Sequence, residues 1–176
     1  MEQRKKFNFI NWILVFAYLG SYYLVFLIKE KESIIHQSIQ KVASHLHTNV
    51  HQILPLIIVF LLIFSLLTLF FTTIFYKIIF YLFIPGEEAN RKLIFSIIAI
   101  STSIANLNYF FLMSIFQECE NVFEKITPLL SFLLAILFFW KISSSKKARF
   151  IFTIVSSLFL LFNFIYMANC KRQIVT

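Results

Sequence analysis

The chain has 176 residues, of which 60% are hydrophobic and 14% charged, against roughly 45–50% and 25% in soluble domains. That much apolar surface excludes a water-soluble globular domain, and it excludes disorder, which requires few apolar residues and abundant charge. The net charge of +8 then reads as lysines and arginines flanking membrane spans rather than as a nucleic-acid footprint, so no nucleic-acid partner is expected. The remaining class is an all-α, polytopic transmembrane helix bundle, with residues 1–176 forming a single integral membrane domain in the lipid bilayer.

A spanning helix needs about 20 mainly apolar residues, and five segments qualify. The first, residues 9–28, follows Arg4, Lys5 and Lys6. Its apolar run is longer than the roughly 7–15 residues of a signal peptide, and no small-residue cleavage site follows, so it reads as a retained span.

Residues 33–54 come next and read as an amphipathic helix on the outer side. Ile35, Ile39, Val42, Leu46, Val50 and Ile53 recur at spacings of three or four, with Gln37, Lys41, Ser44, Thr48 and Gln52 opposite. Such a helix can lie on the membrane or cap the bundle. All four histidines fall in it: His36, His45, His47 and His51. His47 and His51 are i, i+4 neighbours, which is the spacing of a two-histidine metal site. No Cys or acidic residue follows Glu32 within the segment. The plainer reading is a polar helix border, and no metal or other cofactor is expected.

The second span, residues 55–76, opens at Pro55. Lys77 snorkels to the headgroups beyond it. Ile78 to Ile84 extend the helix to Pro85-Gly86. The third span covers residues 93–116, the fourth residues 122–142 and the fifth residues 150–168. Pro128 sits near the start of the fourth, where a missing amide hydrogen costs least. Trp12 and Trp140 sit at span ends, where amphipathic rings favour the interface.

Polar residues inside the spans are expected to face the bundle interior. Ser65, Thr68 and Thr72 form a stripe on the second span, and Ser96, Ala99, Ser103 and Asn106 one on the third. Small and hydroxylated residues let helices approach closely and hydrogen-bond, so Ser65, Thr68, Thr72, Ser96, Ser103 and Asn106 are the candidate helix-interface residues. Asn11, Gly20, Ser21, Ser156 and Asn163 offer partners. The same residues in a polar pathway would serve an ion or a solute, but no ionisable residue lies near a midplane, which argues against a proton- or ion-coupled carrier.

Catalytic chemistry has little to work with. The sequence contains no Asp, and neither of its two glycines has a glycine neighbour. Glu87-Glu88-Ala89-Asn90-Arg91 resembles the paired-glutamate motif of the CPBP intramembrane proteases. That family carries three residues between the second Glu and the Arg, where this chain has two, and it needs later histidines, whereas none follows His51. A cysteine protease would need a His near Cys119 or Cys170. No catalytic residues are expected, and the chain reads as a non-enzyme.

Charge sets the orientation. With the N-terminus inside, ten of the sixteen Lys and Arg lie on the inner side, including Lys146, Lys147 and Arg149. The positive-inside rule then favours a cytoplasmic N-terminus and an outer C-terminus, and the expected location is a plasma membrane, a bacterial one on the resemblance given below. Cys119 and Cys170 would both face the oxidising side, where a Cys119–Cys170 disulfide could tie the loop after the third span to the tail; the alternative is two free thiols.

The stretch from Lys77 to Ala105, with the turn Phe83-Ile84-Pro85-Gly86-Glu87-Glu88 leading into a Ser-containing span, resembles the middle of bacterial members of the Yip family. The likeness extends as a layout over residues 9–168, including the basic loop 143–149, although this chain has fewer glycines and more Phe. The resemblance implies five spans, N-in and C-out, and no catalytic residues. It also implies an accessory membrane protein with a membrane-protein partner, such as an ABC transporter that exports or protects against toxic peptides. Two expectations follow. The first is a non-enzymatic accessory protein, assisting an ABC transporter or giving immunity to a toxic peptide. The second is a small-solute transporter or its substrate-binding membrane subunit.

Overall fold

The computed structural model describes the backbone of residues 2–31, 33–84, 91–116 and 120–174, and the side chains of residues 11–31, 36–84, 93–116 and 122–165. The described residues form six helices and no strand: α1 (Glu2–Glu30), α2 (Ser33–His45), α3 (Val50–Phe83), α4 (Arg91–Ile115), α5 (Glu120–Ile142) and α6 (Lys146–Ile174). Five of them, all but α2, are long and apolar enough to cross a membrane, the architecture of a multi-pass membrane protein. Their outward faces carry Phe60, Phe64, Phe71 and Leu137, all exposed, as a lipid-facing surface requires. Trp140 is exposed in the last turn of α5, whereas Trp12, also exposed, lies ten residues inside α1, which begins at Glu2.

The helices overrun the spans read from hydropathy because nothing in the flanks stops them. α3 runs without a break through Lys77 to Phe83 and is 34 residues long. At 1.5 Å per residue that is about 50 Å, against a hydrocarbon core of about 30 Å. Pro128 lies well inside α5 rather than near its start, because α5 begins at Glu120. There its missing amide removes the helical bond to the Glu124 carbonyl. α6 begins where Ser145 caps it: the Ala148 amide donates to Ser145 Oγ at 3.3 Å.

The single helix expected over residues 33–54 is two helices. α2 ends in a Schellman turn, in which the Thr48 amide donates to the Ala43 carbonyl at 3.0 Å and the His47 amide to the Ser44 carbonyl at 3.2 Å. His47 holds the left-handed conformation this turn demands, with φ 51°. Glycine usually occupies that position, but histidine is among the residues that tolerate it. Asn49, in extended conformation, then starts α3. The apolar stripe divides with the helix: Ile39 and Ile53 are buried, whereas Val42 and Leu46 are exposed. The buried stripe of α2 is Ile39 and Ala43.

α4 is the central helix, packed against α1, α3 and α5. Its Ala99 and Ala105 are fully buried, and such small side chains allow close helix approach. α3, α4, α5 and α6 form a closed ring, with α1 outside it against α3 and α4. One end of the bundle carries the α5–α6 turn and exposed Lys141, Lys146 and Lys147; the other carries α2. At the α5–α6 end the ring is solid. Tyr76, Phe80, Ile94, Ile97, Ala135, Phe139, Ala148 and Phe152 form one buried cluster. Within it, aromatic rings stack across α5, α6 and α3. Phe139 lies on Phe152 with centroids 4.2 Å apart, Phe152 on Tyr76 at 4.8 Å, and Tyr76 on Phe159 at 5.8 Å.

Candidate functional site

Above that aromatic floor, toward α2, the helices separate around a cavity of about 440 Å³. The volume falls within the roughly 300–1,000 Å³ of small-molecule sites. Every spanning helix contributes to the wall: Tyr18 and Tyr22 from α1, Thr68, Thr72 and Tyr76 from α3, Ser101, Thr102 and Asn106 from α4, Thr127 and Ser131 from α5, and Phe159 and Asn163 from α6. The polar lining is hydroxyl and amide. Among the described residues no lysine, arginine, glutamate or histidine lines it.

Hydrogen bonds fix the wall in place. The Asn106 side-chain amide donates to Ser21 Oγ at 3.2 Å, Ser21 Oγ donates to the Tyr18 carbonyl at 2.7 Å, and the Tyr18 hydroxyl donates to the Ser65 carbonyl at 3.1 Å. This relay joins α4, α1 and α3. Thr102 and Ser131 pair across α4 and α5 at 3.2 Å. The Tyr76 hydroxyl and Ser156 Oγ pair at 2.6 Å in the floor, where Ser156 is fully buried. At the α2 end, Lys29 of α1 forms an ion pair with Glu124 of α5, with both side chains about 30% exposed. Lys29 Nζ also lies over the Tyr109 ring at 5.8 Å from its centroid.

The residues singled out by spacing have different positions. Ser65, Ser103 and Asn106 are buried in the bundle. Thr72 lines the cavity half-buried, Thr68 lines it from an exposed position, and Ser96 is half-buried. Ser65, Ser103 and Asn106 are therefore turned inward, where a partner cannot dock on them, while Thr68 of the same stripe stays exposed. His47 and His51 do not share a helix: His47 sits in the turn and His51 in the first turn of α3, so the expected i, i+4 face does not exist. His36 instead pairs with Gln40 at 3.0 Å. Among the described residues no group of three or more His, Cys, Asp or Glu could hold a metal. Cys119, Glu87 and Glu88 lie outside the described residues, as does the side chain of Cys170, and the expected disulfide with them.

Spacing along single helices missed Thr102, Ser131, Tyr18 and Tyr76. Thr102 and Ser131 fall off the small-residue stripes, and their pairing depends on how α4 and α5 cross. The tyrosines read as ordinary interface or packing aromatics until their hydroxyls are placed.

No family model, no curated protein and no solved structure matches the chain.

What remains is the chemistry of the cavity. A site lined by neutral donors and acceptors can hold a molecule with hydroxyl, carbonyl or amide groups. Its described residues offer no counter-charge to an ion, and an unpaired ion buried there would meet a large desolvation penalty. It also holds no nucleophile–base pair and no general acid matched to a base among the described residues.

Proposed function

We propose that this protein is a non-catalytic binding protein of the plasma membrane that holds a small uncharged molecule inside its helix bundle. The supporting observation is the 440 Å³ cavity, with hydroxyl and amide groups set in a mainly apolar wall and no charged side chain among the described lining residues. The reading is closer to a substrate-binding membrane subunit than to a carrier. Below Tyr76 the described residues pack into one aromatic cluster, and on this reading transfer across the membrane would require a partner protein. A partner would meet the exposed face of α2, where Gln37, Lys41, Val42 and Leu46 stand free of the bundle. The layout shared with the Yip family points to the same kind of role, an accessory component beside another membrane complex such as an ABC transporter.

The test is native mass spectrometry of the full chain, extracted in mild detergent from its own membranes. A bound neutral molecule is expected in the unaltered protein and should be lost on changing Thr102→Val and Ser131→Ala together. An unaltered protein that carries no small molecule, and whose melting temperature no neutral solute raises, would overturn the reading.

The proposed orientation is N-in and C-out, from the excess of Lys and Arg toward the α5–α6 end. A membrane-impermeant thiol reagent on intact cells checks it. Cys119 and Cys170 should react from outside, and only after reduction if they are bonded. Reaction of both only after the membrane is opened would invert the topology.

A further inference from the structure

The cavity has a second neighbour. On the lipid-facing side of the seam between α3 and α6 lies an apolar groove of about 510 Å³, lined mainly by Phe71, Phe75, Ile78, Val155, Leu158 and Phe162. Groove and cavity share two wall residues, Thr72 and Phe159. The α3–α6 seam is also the most sparsely packed around the helix ring. Phe159 lies across it, edge-on to Phe75 at 5.1 Å and stacked on Tyr76 at 5.8 Å, while the Tyr76–Ser156 pair fastens the seam in the floor. On one side of Phe159 the surface is hydrocarbon. On the other, hydroxyl and amide groups stand among a mainly apolar lining that includes Leu69, Ile98 and Phe132.

We propose that the molecule held in the cavity is a neutral single-chain amphiphile that arrives from the lipid between α3 and α6. Its hydrocarbon chain lies in the Phe75–Phe162 groove, and its uncharged hydroxyl- or amide-bearing head reaches past Phe159 to Thr72, Thr102 and Ser131. The proposal rests on reading the cavity as a binding site. It follows from two adjoining volumes that share Thr72 and Phe159, one almost wholly apolar and the other carrying hydroxyl and amide groups in its wall. A headless hydrocarbon fills the groove and makes no bond in the cavity. A charged head finds no counter-ion among the described lining residues.

The test uses the full chain in lipid nanodiscs with a hexadecanol probe carrying a photoreactive diazirine at mid-chain. Adducts are expected on residues 71–79 of α3 and 155–162 of α6. Unlabelled hexadecanol should suppress them at a concentration roughly tenfold lower than hexadecane, the factor one net hydrogen bond provides. Hexadecyltrimethylammonium should compete no better than hexadecane. Equal competition by hexadecane, or adducts spread evenly to the lipid-facing Phe60 and Phe64, would mark the groove as ordinary lipid contact and overturn the proposal. Leu158 is exposed and lines the groove but not the cavity, so Leu158→Trp is expected to obstruct the groove alone. It should remove both the adducts and the molecule carried from native membranes. Loss of the adducts with the native molecule retained would reject the lipid route and leave the cavity reading standing. An unaltered chain that carries no native molecule would instead reject the cavity reading.

Discussion

At the scale of single residues, two contacts govern how firmly the cavity is built. The Tyr76–Ser156 hydroxyl pair sits in the floor beneath it. Hydrogen bonds between membrane helices are weaker than burial alone implies, because the unfolded chain in lipid finds other partners. Their measured coupling averages about 0.6 kcal/mol and reaches about 1.7. A double-mutant cycle with Tyr76→Phe and Ser156→Ala should give a coupling near the upper part of that range, since both groups are buried. Unfolding in mixed detergent micelles measures it, and additive single effects would show that the pair contributes nothing. His47 is the second case. Its left-handed backbone costs a side-chain-bearing residue roughly 1–2 kcal/mol, so His47→Gly should raise the melting temperature and His47→Val should lower it. If His47 instead serves as a metal ligand, added zinc would stabilise the unaltered chain and not the glycine variant.

At the scale of elements, hydropathy alone found all five spanning helices, because about 20 apolar residues in a row have few other uses. The break between α2 and α3 was hidden. No glycine or proline marks residues 46–49, and the apolar spacing runs on through Val50 and Ile53 as if the helix did. What ends α2 is a backbone turn that histidine tolerates, and that is invisible to periodicity. The cavity was half legible. Stripes along one helix gave Thr68, Thr72 and Asn106, but Thr102 with Ser131 requires knowing which helix crosses which. Capping gives a prediction at this scale. Ser145→Ala removes the acceptor for the Ala148 amide at the start of α6, at a cost of about 1 kcal/mol. Ser145→Asp should retain most of the stability, and equal melting of all three forms would count against the cap. The aromatic floor is a larger element of the same kind. Phe152→Ala, at a fully buried site touching Phe139, Phe80 and Tyr76, should cost about 3–5 kcal/mol.

For the whole molecule, α1 packs against α3 and α4 but reaches α5 by the Lys29–Glu124 ion pair. Both partners are partly exposed, so the pair adds at most about 1 kcal/mol to stability. Glu124→Gln should therefore leave the melting temperature nearly unchanged, and it should leave exchange of the bound molecule unchanged as well, since the proposed entry lies between α3 and α6. Altered exchange in Glu124→Gln would place the entry at the α1–α5 end instead. The stacked rings from Phe139 to Phe159 have a consequence for transport direction. A vessel stoppered at one end fills and empties through the same opening, so it has no preferred direction of its own. Reconstituted alone in liposomes, the chain should accumulate its cargo to equilibrium occupancy and carry none of it from one compartment to the other. Any net current must be imposed by machinery that spends energy elsewhere.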